Sequence, residues 1–251
     1  MSTSSKVASK VASKIALVTG GSKGFGLALA IELVEDGWSV VIDGRDPSAL
    51  DAAVRRLQTA SGGGNGQSAI RGLAGDVAAP QHRAALVEAV SELGGLDLLV
   101  NNASALGPSP QPNLESYPLD ELERVLAVNV IAPLALVQAT LPMLRASHGT
   151  VVDITSDAAV EGYAGWGGYG SSKAALEQLS NVLAAEEQDI YVYWFDPGDM
   201  RTEMHQAAFP GEDISDRPLP ETVVPALRRL LRTAPPSGRF RANELVAEVS
   251  V

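Results

Sequence analysis

Apolar residues in this chain gather in short runs separated by longer amphipathic stretches. From Ile15 onward the runs are "IALVTG", "SVVIDG", "AIRGLAGD", "LDLLVNNA", "GTVVDITS" and "IYVYWFDPG", with a seventh candidate in "GRFRA". Each has the length of a strand and is largely apolar, as in strands that a parallel sheet buries on both faces. Between them, amphipathic segments predict helices over about 24–36, 47–60, 80–93, 118–145, 168–188 and 220–233. Each is long enough to cross from one parallel strand to the next. The alternation predicts an α/β, Rossmann-like doubly wound fold, a mostly parallel seven-stranded sheet with helices on both faces. No linker-like break divides residues 14–251, which are expected to form one domain. Residues 1–13 are Ser/Lys-rich and read as a disordered extension. "SGGGNG" (61–66) lies between a helix and the third strand, away from strand carboxyl ends, and is expected to be a loop rather than a phosphate cradle.

Composition narrows the function classes. The 251 residues are 45% hydrophobic, ample for a core, and carry a net charge of −11 with no Lys/Arg-rich block to neutralise a phosphate backbone. Nucleic acid is therefore not an expected partner. The chain has no cysteine, and His82, His148 and His205 are scattered without ligand spacing, so no metal site is expected. The opening residues contain no long apolar run, which predicts neither a signal peptide nor a membrane anchor and points to a cytoplasmic protein.

In open α/β sheets ligands bind beyond the carboxyl ends of the strands, and the chemistry of this chain collects there. The first strand runs into "TGGSKGFG", with glycines at 20, 24 and 26 ahead of a helix. Glycine permits a tight turn and close backbone approach, while the helix start offers unpaired N–H groups to a pyrophosphate. The second strand ends at Gly44, followed by Arg45, where NAD-binding chains place an acid on the ribose hydroxyls. Arg45, with Lys23 from the glycine turn, is suited to the additional phosphate of NADP. Asp43 is the competing feature: one residue of slippage would put it at the ribose and favour NAD. Alternation from Gly44 instead turns it into the sheet face, where it needs a partner.

The order of several motifs resembles the short-chain dehydrogenase/reductase family in its compact single-domain branch. They are "TGGSKGFG", "GDV" (75–77), "NNAS" (101–104), "VNV" (128–130), "ITS" (154–156), "YGSSK" (169–173) and "PGDMRT" (197–202), and the resemblance runs from Lys14 to about Phe240. It implies an NADP(H)-dependent oxidoreductase in which Asn129, Ser156, Tyr169 and Lys173 are catalytic. It implies cofactor contacts from Gly20, Ser22, Lys23, Gly24, Phe25, Gly26, Gly44, Arg45, Asp76, Val77, Asn102, Ala103, Tyr169, Lys173, Pro197, Gly198, Met200 and Thr202, with Asn101 steadying the central strand. It also implies a homodimer or homotetramer assembled through the helices near 118–145 and 168–188. Two departures stand out. Ser104 replaces the usual glycine and is expected to tighten its loop without touching a catalytic atom. Asp196, directly before Pro197–Gly198, is expected near the nicotinamide, facing the oxidised ring or Lys173, or simply hydrogen-bonded at the strand end.

The residues themselves explain why such a site needs Tyr169 and Lys173. Four apart on a helix, they share a face; a phenol with an ordinary pKa of about 10 is a poor acid/base at neutral pH, and a nearby Lys cation, with the positive nicotinamide of the oxidised complex, favours the phenolate. Tyr169 is then the proton donor to a carbonyl oxygen, and Ser156 orients that oxygen. The resemblance further implies that Lys173 anchors the nicotinamide ribose and that Asn129 binds a water relaying protons from Lys173 to solvent. The expected substrate wall is Tyr163 and Trp166 with His205 and Phe209 from a lid near 203–219, around Ser156 and Tyr169. These aromatics favour an apolar or aromatic carbonyl compound or alcohol. An imine or activated-alkene reductase on the same site, and a non-catalytic NADP(H)-binding regulator, are the alternatives.

Overall fold

The computed structural model describes residues 13–62 and 68–246. Seven strands form one sheet: β1 (Ile15–Val18), β2 (Ser39–Gly44), β3 (Ile70–Ala74), β4 (Leu98–Asn101), β5 (Thr150–Ile154), β6 (Tyr191–Asp196) and β7 (Gly238–Arg241). Their spatial order is β3-β2-β1-β4-β5-β6-β7, and every pairing is parallel. The order reverses between β1 and β4, which opens the ligand crevice of a doubly wound sheet at that point.

Period-two alternation assigns each strand residue to one of two cores. Ala16, Val18, Val40, Ile42, Leu98, Val100, Val152 and Ile154 face one layer of helices: α1 (Gly24–Glu35), α2 (Pro47–Ala60) and α8 (Pro220–Thr233). Ile15, Leu17, Val41, Leu99 and Val151 face the other, with α3 (Pro80–Leu93), α5 (Ala132–Ser147) and α6 (Gly167–Glu186). The short α4 (Leu119–Leu126), α7 (Glu203–Ala208) and α9 (Ala242–Val246) complete the fold. Among the described residues one helical run, Leu119–Ser147, is long and apolar enough to cross a membrane. Its Val128, Ala132, Leu136, Val137 and Leu144 pack into the second core.

That run corrects the continuous helix expected over 118–145. Between α4 and α5 the backbone widens into a π-helical segment, Ala127–Ile131, with Asn129 at its centre. Pro133 has no N–H to offer the carbonyl four residues earlier, that of Asn129, so the α ladder is interrupted there. Most of the predicted extension at 1–13 and of the 61–66 loop lies outside the described residues. Ser13 is described, and its hydroxyl donates to the Gly37 carbonyl at 2.6 Å.

Candidate active site

The glycine turn is shaped from beneath. Asn102 donates its side-chain amide to the carbonyls of Thr19 (2.8 Å) and Gly20 (3.2 Å), and Thr19 Oγ1 accepts from the backbone of Asn102 and Ala103. Gly20 has φ +63° and passes so close to the next loop that a Cβ would stand 2.9 Å from Ala103 Cα. At Gly26 a Cβ would meet the Asn102 amide and lie 2.7 Å from the Gly20 carbonyl. Above this cradle α1 begins with no side-chain cap and no acid in its first turn, leaving its N–H groups and positive dipole end open to an anion. The cradle fits a dinucleotide pyrophosphate. The Phe25 ring is core, stacked on Phe195 at 6.1 Å, so only its backbone faces the site. Gly26→Ala is expected to cost about 1–3 kcal/mol of stability by overpacking the turn, measured by denaturant unfolding.

Asp43 turns into the sheet face and is buried there between two partners. Its carboxylate accepts from the Gly20 backbone N–H (2.6 Å) and lies 3.0 Å from His82 Nε2 on α3. It holds the glycine turn from inside. Asp46 caps α2, accepting from Ser48 and Ala49. Gly44 closes β2 against Ser22, and Arg45 is exposed at the tip. Lys23 is exposed and forms an ion pair with Glu203, the first residue of α7. Asp76 accepts from the Ala78 N–H at 2.8 Å, shaping the turn after β3, and Val77 is buried there.

Tyr169 and Lys173 lie on α6, both almost wholly buried, with the Lys173 ammonium 5.6 Å from the Tyr169 ring centroid. Lys173 donates to the Ile154 carbonyl at 2.7 Å. Ser156, just past β5, donates to Asp157 Oδ1 at 2.9 Å, so its proton is turned toward a carboxylate. The Asn129 side chain is fully used by protein groups. Nδ2 donates to the Ala105 carbonyl and Ser172 Oγ (each 2.9 Å), and Oδ1 accepts from Ala105 N–H (2.7 Å) and Ser104 Oγ (3.2 Å). Its amide therefore clamps the loop after β4 and has no capacity left for a water. Ser104, expected to touch no catalytic atom, bonds Asn129 directly.

Burial sets the protonation of the pair. It raises Tyr169 above the ordinary phenol value; the Ser104 and Ser156 hydroxyls pull it down, while the charges of Asp196 and Asp157 push it up. Lys173 moves the other way, down to about 8, because burial disfavours its charge more than Asp153 and Glu177 support it. Among these influences on the phenol, desolvation is the largest.

The expected substrate residues come together over Tyr169. Trp166 packs edge-on against Tyr169 (5.8 Å between centroids) and Tyr163 (6.3 Å), and lies 5.8 Å from Phe209, which in turn meets His205 at 4.8 Å. Met204, Ala207 and Ala208 of α7 pack on Leu106, Ala158 and Tyr169. Ser109 Oγ holds this segment through the Ala207 carbonyl at 2.6 Å. His205 Nδ1 is 3.7 Å from Asp199, and Nε2 is buried with no partner among the described residues. The Tyr163 hydroxyl is drawn to the rim, where its single proton lies between the carboxylates of Glu161 (2.8 Å) and Asp157 (3.0 Å). Beyond the turn, Thr202 Oγ1 caps α7 by accepting from His205 N–H, its methyl stands 3.6 Å from where a Cβ on Gly24 would lie, and Met200 packs on the core beside it.

Asp153, Glu177 and Arg239 were not anticipated. Asp153 accepts from Asn101 and Ser180, each at 2.7 Å, and burial raises its pKa. A carboxylate inside the apolar run "GTVVDITS" was the available signal, and its register partner on β4 is Asn101. Asp196 does not turn to Lys173. It accepts from the Gly198 N–H (3.0 Å) and pairs with Arg239 (3.1 Å).

Known proteins match this architecture. The short chain dehydrogenase family model matches residues 14–213. A rhamnolipids biosynthesis 3-oxoacyl-[acyl-carrier-protein] reductase from Pseudomonas aeruginosa is 40% identical over 68% of this chain, a stretch that spans 66% of the relative's own length. Sepiapterin reductase from Mus musculus is 35% identical over 77% of each chain. Among solved structures, a short chain dehydrogenase from Shigella flexneri complexed with NADP superposes with a TM-score of 0.83 at 30% identity, covering 92% of this chain and 98% of that one. One from Pseudomonas syringae gives 0.84 at 32%, covering 92% and 95%. With the parallel sheet, the uncapped glycine turn and the buried Tyr–Lys pair, these matches establish that the chain belongs to the short-chain dehydrogenase family of NAD(P)-dependent oxidoreductases.

Proposed function

We propose that this protein is an NADP(H)-dependent reductase of carbonyl compounds, or in reverse a dehydrogenase of secondary alcohols. The observation that carries the reading is the convergence of Ser156, Tyr169 and Lys173 at the carboxyl end of the sheet, beside a glycine turn open to an anion. When bound, the reduced nicotinamide supplies a hydride to the carbonyl carbon. Tyr169, held protonated across the neutral range by its raised pKa, delivers the proton to the carbonyl oxygen. Ser156 turns its hydroxyl from Asp157 toward that oxygen and stabilises the developing negative charge. Lys173 spends one donor on the Ile154 carbonyl, and its remaining N–H donors would hold the nicotinamide ribose. Asn129 fixes the loop after β4 against α6 through Ala105 and Ser172. The Pro197–Gly198 turn, fixed by Asp196 and followed by Met200 and Thr202, would hold the nicotinamide end. A catalytic role is favoured over a purely regulatory one because both Tyr169 and Lys173 are present and buried together.

NADP is favoured over NAD because both acids near the tip of β2 are committed elsewhere. Asp43 is bound to Gly20 and His82, and Asp46 caps α2, while Arg45 stands exposed at the tip. The relative bound to NADP supports the same choice. Arg45→Ala is expected to lower kcat/KM with NADPH about 10- to 100-fold, the value of a charge-assisted contact. Its kcat/KM with NADH should be unchanged. Equal losses with both cofactors, in a steady-state comparison, would contradict the assignment.

The substrate is an uncharged apolar or aromatic carbonyl compound. Trp166, Phe209, Leu106 and Met204, which pack together at Tyr169, support this, as do Asp157 and Glu161 at the rim, whose charges repel anions. The named activities of the relatives, reduction of a 3-oxoacyl group and of sepiapterin, support carbonyl reduction over imine or alkene reduction. Self-association is supported by apolar side chains left outward near and on the long helices, Ile131 (54% exposed) and Val182 (42%). Consumption of reduced nicotinamide across a panel of ketones, aldehydes and imines tests the reading.

A further inference from the structure

Three carboxylates, Asp153, Glu177 and Asp196, lie close beneath the reacting groups, and one guanidinium joins two of them. Arg239 Nε donates to Glu177 Oε1 at 2.9 Å. Its Nη2 donates both to Asp196 Oδ2 and to the Ser156 carbonyl, each at 3.1 Å. The three side chains are mostly enclosed, at 20%, 13% and 6% exposure for Arg239, Glu177 and Asp196. Each partner belongs to a different part of the site. Ser156 follows β5, Asp196 ends β6 and shapes the next turn through the Gly198 N–H, and Glu177 stands one helical turn beyond Lys173. Glu177 also accepts from Thr155 Oγ1 at 2.7 Å, which closes the network back onto β5. The remaining basic partner, Arg241, is 3.8 Å from Asp196 and more exposed.

We infer that Arg239, on the last strand, is a positioning residue of this enzyme: its planar fork ties the Ser156 backbone, the Pro197–Gly198 turn and α6 into one rigid frame. The inference rests on the roles given above to Ser156 and to that turn. Geometry explains why arginine is used. One nitrogen serves the acid on α6 and another serves two oxygens on neighbouring strand ends, a spread that a single ammonium does not span. Charge supports it as well. Asp196 raises the pKa of Tyr169, so a guanidinium on Asp196 limits how far that carboxylate acts on the phenol. In sequence the arrangement leaves only a faint trace, basic residues at alternate positions of "GRFRA", with Arg241 in register with Asp196 and Arg239 with Trp194.

The test is Arg239→Lys, which keeps the charge and much of the stem and is expected to fold. Melting temperature, kcat, carbonyl KM and NADPH affinity by fluorescence titration are measured on the full chain. The expected result is a near-native melting temperature, kcat lowered about tenfold, NADPH bound several-fold more weakly and carbonyl KM little changed, as misplacement of positioned groups produces. Arg239→Met, which leaves Asp196 and Glu177 short of a cation, should lose about 100-fold or more in kcat. Adding Asp196→Asn to it should recover at least tenfold by removing the one of these two charges that acts on Tyr169. A folded Arg239→Lys with kcat within threefold of wild type overturns the inference, as does a double variant no better than Arg239→Met. Should wild type itself turn over no carbonyl compound, the proposed function fails separately. NADPH affinity then decides, and an unchanged affinity in Arg239→Lys overturns the inference.

Discussion

Replacing Tyr169 by phenylalanine is expected to lower carbonyl reduction by about 10²–10⁴-fold, the range that a positioned general acid supplies. The ring is buried against Trp166 and within the Leu106–Ala158 cluster, so its packing survives the loss of one oxygen. NADPH affinity and melting temperature should therefore stay close to wild type, and the loss should fall in kcat rather than in carbonyl KM. Steady-state kinetics with a fluorescence titration of NADPH check both halves. A loss confined to KM would show that the hydroxyl binds substrate without donating a proton.

Lys173→Met is expected to weaken NADPH binding and lower kcat/KM together, by about 10³-fold in the latter, because it removes an anchor and a buried partner charge at once. Its pH signature separates this from simple loss of packing. In the free enzyme Lys173 titrates near pH 8, so wild-type kcat/KM, which reports free-enzyme groups, should fall as pH rises through about 8. Stability follows the opposite sign. The folded pKa lies below the ordinary 10.5, so between about pH 8 and 10.5 the unfolded chain binds more protons and the Lys173 contribution to stability rises with pH. In Lys173→Met that rise should vanish. Asp153 then loses a supporting charge. Its raised pKa contributes stability that is present at low pH and lost as pH rises above its unfolded value. Urea unfolding of both proteins across pH measures the difference.

The sheet and its crossovers were legible because burial on both faces of a parallel strand leaves an almost unbroken apolar run, and all seven runs became strands. The long helix was read as continuous because its apolar spacing carries on through Asn129. What breaks it is a proline four residues later, a backbone effect that hydrophobic spacing does not record. At the site, local motifs point to the glycine turn, Ser156, Tyr169 and Lys173, and the loops after β5 and β6 carry the aromatic residues that pack at Tyr169. Residues that matter through distant partners were harder to read. Alternation turned Asp43 inward, but naming His82 required knowing that α3 packs beneath β2. The contact of Ser104 with Asn129 crosses 25 positions of sequence, which no local motif records. Arg239 reaches acids 43 and 62 positions away, and only the fold brings them together.

The most direct test of the account is transfer of label from NADPH deuterated at the hydride position of the nicotinamide, incubated with wild-type protein and an apolar aromatic ketone, with the product read by mass spectrometry and NMR. The account predicts deuterium on the carbinol carbon of the alcohol, in one configuration, as NADPH is consumed. Tight NADPH binding with no labelled alcohol from any ketone or aldehyde offered would contradict it.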